Sequence, residues 1–196
     1  MSNTSNSTIL KGTPGMGVLF KRGNELTLKA YTNANYAGSI DDRRSTSGYC
    51  TFLEGNLITW RSKKQNVVAR SSIKAMFRAM ALGVCELLWL KIILEDLKIA
   101  WKGLMKLYCD NKSAIDITHN LVQHDRTNHV EIDRHFFLIG EIDRHFIKEK
   151  LDSRLICTPF VSTKGQLVDM LTKGLNSIAF QSIIGKLRMD NIYLPA

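Results

Sequence analysis

The chain has 196 residues, 44% of them hydrophobic, and a net charge of +9; this fits one domain with a packed core and excludes a disordered tail. It contains no apolar run of about 18 residues, so a membrane helix is not expected, and its start, MSNTSNSTIL, lacks the pattern of a secretory signal; a cytoplasmic or nuclear setting follows. The basic excess points to a polyanionic partner such as nucleic acid, and Cys50, Cys85, Cys109 and Cys157, with no CxxC pair, read as four buried reduced thiols rather than a zinc site.

Residues 1–15 are polar, then turn-rich, and read as a linker. Glu25–Thr32 (ELTLKAYT) alternates apolar and polar residues and predicts a strand. Gly48–Leu53 and Leu57–Arg61 predict two more, joined by a hairpin turn at Glu54, Gly55 and Asn56. Ser71 or Ser72 is a fitting N-cap for a helix over Lys74–Lys98, with Ala75, Ala79, Leu82, Glu86, Trp89 and Ile93 marking one face. Leu104–Cys109 predicts a strand, and Asn111 opens a short helix to about Thr118. A His- and Arg-bearing loop leads to a second long helix, Val130–Leu151. Arg154–Val161 is strand-like, and Gln166–Lys173 and Phe180–Leu187 predict closing helices. The order describes an α/β fold: a mixed sheet with helices packed on its faces.

One repeat stands out: EIDRHF over Glu131–Phe136 recurs over Glu141–Phe146, ten residues later. Ten residues of helix end about 80° short of three full turns, so the copies cannot present one face, and His135 and His145 would stand about 15 Å apart. A tandem duplication that distorts or lengthens one helix is the stronger reading; a metal site is the weaker one.

Several runs, in order, resemble the RNase H domain of copia-type retrotransposon polyproteins: LKGTPGMGVLF, AYTNANYAGSIDDRRSTSGY, LITWRSKKQNVVARSSIKAMFRAMA, LYCDNKSAI, HDRTNHVEIDRHF and GQLVDMLTKGL; the resemblance covers nearly everything from Leu10 to Tyr193. The resemblance implies an RNase H-like mixed five-stranded sheet with helices on both faces. It implies residues 1–20 as a remnant of the join to an upstream reverse transcriptase, 21–175 as the RNase H-like domain with the duplication at 131–150, and 176–196 as a helical tail. It further implies cleavage of the RNA strand of RNA–DNA hybrids by two Mg²⁺ ions held on four carboxylates, with the reverse transcriptase domain of the same polyprotein as ancestral partner.

Two of the four carboxylate positions have changed. Where the family typically reads YSDADWAG, Tyr31–Gly38 reads YTNANYAG, so the catalytic Asp is replaced by Asn33 and its neighbour by Asn35. Where it reads SSTEAEY, Ser71–Phe77 reads SSIKAMF, so the catalytic Glu is replaced by Met76 and the preceding Glu by Lys74. Asp110 and Asp169 survive. Asn33 offers only a neutral oxygen and Met76 only a soft thioether, which a hard ion such as Mg²⁺ disfavours. The resemblance therefore implies a degenerate RNase H, a pseudoenzyme in which magnesium is bound weakly or not at all; a residually active Mn²⁺/Mg²⁺ enzyme and a non-catalytic nucleic-acid-binding module are the alternatives. Read without the family, Asp110 is an N-cap and Asp169 a solvated helix residue. Acids at the four changed positions would lower the net charge from +9 to +4, so over half of the basic excess traces to these changes. Arg61, Lys63 and Lys64 form a basic cluster suited to a phosphate backbone, and His124 and His129 are candidates for assisting product release by analogy.

Overall fold

A computed structural model describes residues 16–18, 20–23, 25–120, 134–173, 185–187 and 189–191. Strands β1 (Met16–Val18), β2 (Leu28–Asn35), β3 (Thr46–Leu53) and β4 (Asn56–Lys64) are followed by helix α1 (Ser72–Asp96), β5 (Met105–Cys109) and α2 (Lys112–His119). Then come α3 (Arg134–Asp152), β6 (Ile156–Cys157), a 3₁₀ turn at Thr163–Gly165, the one-turn helix α4 (Asp169–Thr172) and β7 (Met189–Asn191).

The main sheet has five strands in the order β4-β3-β2-β5-β6. β2 and β3 are antiparallel, as are β3 and β4, whereas β5 runs parallel to both β2 and β6. A parallel step needs a crossover, and α1 supplies it between β4 and β5. The β3–β4 hairpin closes through Glu54 (φ 52°) and Gly55 (φ 78°); both lie in the left-handed region that a tight two-residue turn requires, which glycine adopts without a Cβ penalty.

Strand alternation sends successive side chains to opposite faces. Leu28, Ala30 and Thr32 of β2 are buried beneath α1. The helix comes so close that a Cβ at Gly83 would lie 2.4 Å from Thr32 Cγ2. On the other face, Cys50, Phe52 and Leu57 pack with Leu167, Val168, Met170, Leu171 and Leu187. There a Cβ at Gly48 would meet Thr172 and Val168 side chains at 2.7 Å. The sheet thus carries a core on each face, as the α/β expectation requires.

The structure corrects several expectations. Ser71 caps α1, accepting from the Lys74 amide at 3.2 Å, but the buried stripe is Met76, Met80, Val84, Leu87, Leu90 and Leu94 with Ala75 and Ala79. Trp89, assigned to the buried face, is 52% exposed. The helix is apolar around much of its girth, so periodicity could not orient it. Arg154–Val161 forms only the two-residue β6 plus a single bridge at Phe160, and Gln166–Lys173 only one helical turn. The stretch expected as a helical tail carries a strand, since Met189–Asn191 pairs antiparallel with Met16–Val18. Cys85 is exposed, against three cysteines that are buried or partly so. The boundary expected at 175, residues 174–184 of the tail, and His124 and His129 lie outside the described residues.

The duplication is helical where described. Arg134–Asp152 is one helix, which includes the end of the first copy and all of the second. The second copy docks on α1: Asp143 accepts from Arg78 at 3.1 Å and Ile147 is fully buried.

Candidate functional site

The parallel pairing Thr32↔Cys109 aligns the next residues, Asn33 of β2 and Asp110 after β5, at the same end of the sheet. Asn111 caps α2, its side chain accepting from the Ala114 amide at 2.9 Å, so Asp110 is not the cap. Met76 of α1 and Asp110 line one open cleft of about 450 Å³ with Asn33, Lys112, Phe160 and Lys173. Lys112 Nζ lies 4.7 Å above the Phe160 ring. Asp169, at the start of α4, is buried and hydrogen-bonded to two residues that line this cleft, Asn33 and Lys173. The fold therefore gathers all four positions singled out in the sequence.

The hydrogen bonds assign the Asn33 amide. The Ala34 N–H donates to Asn33 Oδ1 at 2.7 Å, so the oxygen is engaged within its own strand. Nδ2 then faces Asp169 and donates to its Oδ1 at 2.5 Å, with Thr172 Oγ1 at 3.4 Å. Lys173 Nζ donates to the same Asp169 oxygen at 2.9 Å. A carboxylate oxygen in this position thus carries two of the protein's own donors, one a full cation.

Asp110 stands in a different setting. Burial raises its pKa above the ordinary carboxylate range, and repulsion from Asp169 raises it further, while a hydrogen bond from Gln166 and the charge of Lys173 oppose both. Gln166 is buried, donates to the Thr32 carbonyl at 3.0 Å and ties the turn before α4 to β2. Gln166, Thr172 and Lys173 escaped the sequence reading. Only Lys173 left a signal: it stands four residues beyond Asp169 in the helix predicted over Gln166–Lys173, the spacing at which side chains meet on a helix.

The donor set can be weighed against a pair of hard dications. Asp110 lines the cleft, and the second carboxylate, Asp169, is already bonded to two of its lining residues, Asn33 and Lys173. Met76 contributes a thioether, and the Asn33 oxygen is turned to Ala34. Among the described residues no group of three or more His, Cys, Asp or Glu side chains could hold a metal ion. Lys74 points elsewhere, onto α3 beside Gly140. Its ammonium is pushed down by burial, with Glu141 opposing.

The basic cluster divides. Arg61 is paired in register with Tyr49, whose hydroxyl donates to Glu86 of α1, so Arg61 and Lys63 belong to the α1 face. Lys64 turns to the other face and is held by Asp42 and Ser39, each at 2.8 Å.

The sheet order and its flanking helices define an RNase H-like α/β domain. A solved structure, LC11-RNase H1 in complex with RNA/DNA hybrid, matches with a TM-score of 0.51 at 9% identity, over 74% of this chain and 94% of that one; at such identity the likeness speaks to fold alone. No family model matches the chain. It is 39% identical over 178 residues, 91% of its length, to the retrovirus-related Pol polyprotein from transposon RE2 of Arabidopsis thaliana. It is 37% identical over 164 residues, 84% of its length, to that from transposon TNT 1-94 of Nicotiana tabacum. The chain belongs to this family, the Pol polyproteins of copia-type transposons, and has an RNase H-like fold. It spans 12% and 11% of the lengths of these two relatives.

Proposed function

We propose that this RNase H-like domain has an ancestry in cleaving the RNA strand of RNA–DNA hybrids beside a reverse transcriptase, and that it no longer performs two-metal hydrolysis. The observation that carries the reading is the convergence of Asn33 Nδ2 and Lys173 Nζ on one oxygen of Asp169. A dication approaching that oxygen must displace an amide donor and an ammonium, and finds one remaining full carboxylate, Asp110, in reach. Two such ions would repel each other with too little negative charge between them. The residues present do not fit the pair of magnesium ions that the family resemblance implies.

The test is hydrolysis of a labelled RNA–DNA hybrid with Mg²⁺ or Mn²⁺, beside the double variant Asn33→Asp/Met76→Glu. The reading predicts no cleavage by the natural chain. Cleavage by that chain that disappears in Asp110→Asn would overturn it. Calorimetric titration with Mg²⁺ separates the steps: the natural chain should show no saturable heat, and the double variant should show binding.

Nucleic-acid contact without catalysis is the second reading. It is favoured by the exposure of Arg61 and Lys63 on β4, which leaves Lys64, committed to Asp42, outside the contact.

A further inference from the structure

Met76 lines the cleft, but a side chain two residues earlier in α1 stands about 200° around the helix. Lys74 therefore leaves the cleft and opens on a second cavity, of about 240 Å³, far more than one water occupies. The segment from Gln65 to Arg70, between β4 and α1, forms one wall. Lys74 and Arg78 of α1 form another, and Gly140 and Asp143 of α3 a third. A Cβ at Gly140 would lie 3.3 Å from the Lys74 side chain, so the two helices nearly touch beside the cavity.

The charge around this cavity does not balance. Lys74 and Arg78 stand one turn apart on α1, a like-charged pair that costs stability. Arg70 lies just ahead of the Ser71 cap. Arg144 is buried on α3, one turn beyond Gly140. Burial pushes the pKa of Lys74 down, Glu141 opposes, and Arg70 and Arg144 add to the fall, so all four cations lie within electrostatic reach of one another. Two carboxylates answer them: Asp143 accepts from Arg78 at 3.1 Å, and Glu141 pairs with Arg144. An excess of two positive charges remains. Arg144 Nε is buried without a hydrogen-bond partner among the described residues, and in folded proteins a buried donor of that kind is matched by a water or an ion. Lys98, Lys102 and Lys164 are exposed, and there bulk water screens the charge. Here the excess is gathered in one recess.

We propose that this cavity is an oxyanion site that takes a phosphate group between Arg70 and Lys74. A phosphate group carries about −1.5 to −2 charges at pH 7, which matches the excess, and the guanidinium of Arg70 offers the forked donors that phosphate oxygens accept. The acid that the family typically carries at position 74 would cancel the excess, so the site comes from this chain's own Lys74. It stands whether or not the cleft hydrolyses RNA.

The experiment is titration calorimetry of the full chain with inorganic phosphate at constant ionic strength, against a chloride blank. The natural chain should give a saturable isotherm. Lys74→Glu should abolish it, and Arg70→Gln should weaken it at least about tenfold, the loss expected for one charge-assisted hydrogen bond. Lys98→Gln/Lys102→Gln, beyond the far end of α1, should bind as the natural chain does. Circular dichroism checks folding, and Lys74→Gln, which removes the charge without adding an acid, keeps the test open should the glutamate disturb the contact with α3. Both outcomes of a competition arm support the site: a short oligothymidylate that displaces phosphate assigns the group to a nucleic-acid strand, and one that does not assigns it to the free ion. The proposal is overturned by heats no larger than the chloride blank, by an isotherm that survives both Lys74 variants, or by one that the lysine control loses equally.

Discussion

The Asn33 side-chain amide donates to Asp169, joining the central strand to the helical turn that covers the far face of the sheet. Where a metal site needs two mutually repelling carboxylates held apart by ions, this chain has a neutral donor facing an acceptor, an arrangement stable without any ion. Asn33→Asp replaces that bond by two carboxylates at contact distance. In chelator it should destabilise the fold by about 1–3 kcal/mol, a fall in Tm of roughly 3–10 °C for a chain of this size. Added Mg²⁺ should recover part of the loss, since a ligand bound only by the folded state stabilises it. The natural chain should melt at the same temperature in chelator and in Mg²⁺. Differential scanning calorimetry reads all three, and a Tm for the natural chain that rises with Mg²⁺ would count against a metal-free site.

Asp110 gives a prediction in pH. Its pKa is raised in the folded chain, first by burial and then by Asp169. A carboxyl with a raised folded pKa opposes folding wherever it must ionise. The penalty is complete above the folded pKa and disappears as pH falls through it toward the unfolded value near 3.9. Asp110→Asn should therefore stabilise the protein slightly at neutral pH, the gain being reduced by the solvent that still reaches this partly exposed group. The gain should vanish below about pH 4. Urea titrations of both forms across the acid range measure it; a difference that is flat with pH would mean that the charge is not the cause.

The parts legible in the sequence were those set by neighbours. The Glu54–Gly55 turn, the Ser71 cap and the α2 start at Asn111 depend on residues within a few positions, and the structure has them where expected. The site positions Asn33, Met76, Asp110 and Asp169 were legible through family motifs rather than through spacing, because they come from four separate elements. What stayed hidden depends on distant partners. β1 and β7 are three residues each and lie at opposite ends of the chain, too short for a periodic signal. The buried side of α1 is chosen by β2 and α3, not by its own pattern: Ala75 and Ala79 face inward as expected, whereas Trp89 does not. The Asp169–Lys173 pair was within reach of the helix predicted over Gln166–Lys173, since four residues separate them; what could not be read was that this turn packs against β2 and brings the pair to Asn33.

The two copies of EIDRHF should differ in energetic weight. The second copy sends Asp143 to Arg78 and is followed by Ile147, which is fully buried against the main core. Ile147→Ala should cost about 2–5 kcal/mol, the usual range for truncating a fully enclosed aliphatic chain. Asp143→Ala should cost less, because burial raises the pKa of this carboxyl against the pull of Arg78, and Arg78 is 46% exposed and can turn to solvent. Chemical denaturation of the two variants orders them; an Ile147→Ala loss below that of Asp143→Ala would mean that the helix docks through its ion pair rather than its apolar face.

Gly83 tests how tightly α1 rests on the sheet. An added Cβ would stand 2.4 Å from Thr32 Cγ2 and 3.0 Å from Leu107 Cδ1. Thr32 is fully buried on the central strand and its hydroxyl bonds the Tyr108 carbonyl at 3.3 Å. It cannot swing away without releasing β5, so the helix itself must lift. Alanine is the better helix former by about 1 kcal/mol, yet Gly83→Ala should still destabilise by about 1–3 kcal/mol because the overlap forces backbone movement. Lifting α1 also carries Met76 away from Asn33 and Asp110, so the cleft should widen along with the loss of stability. Gly185, with nothing within 4 Å of an added Cβ, is the matched control, and Gly185→Ala should leave Tm within about 1 °C. Thermal melts of the pair decide the matter: equal midpoints would show that α1 and β2 are not in the close contact that positions the site.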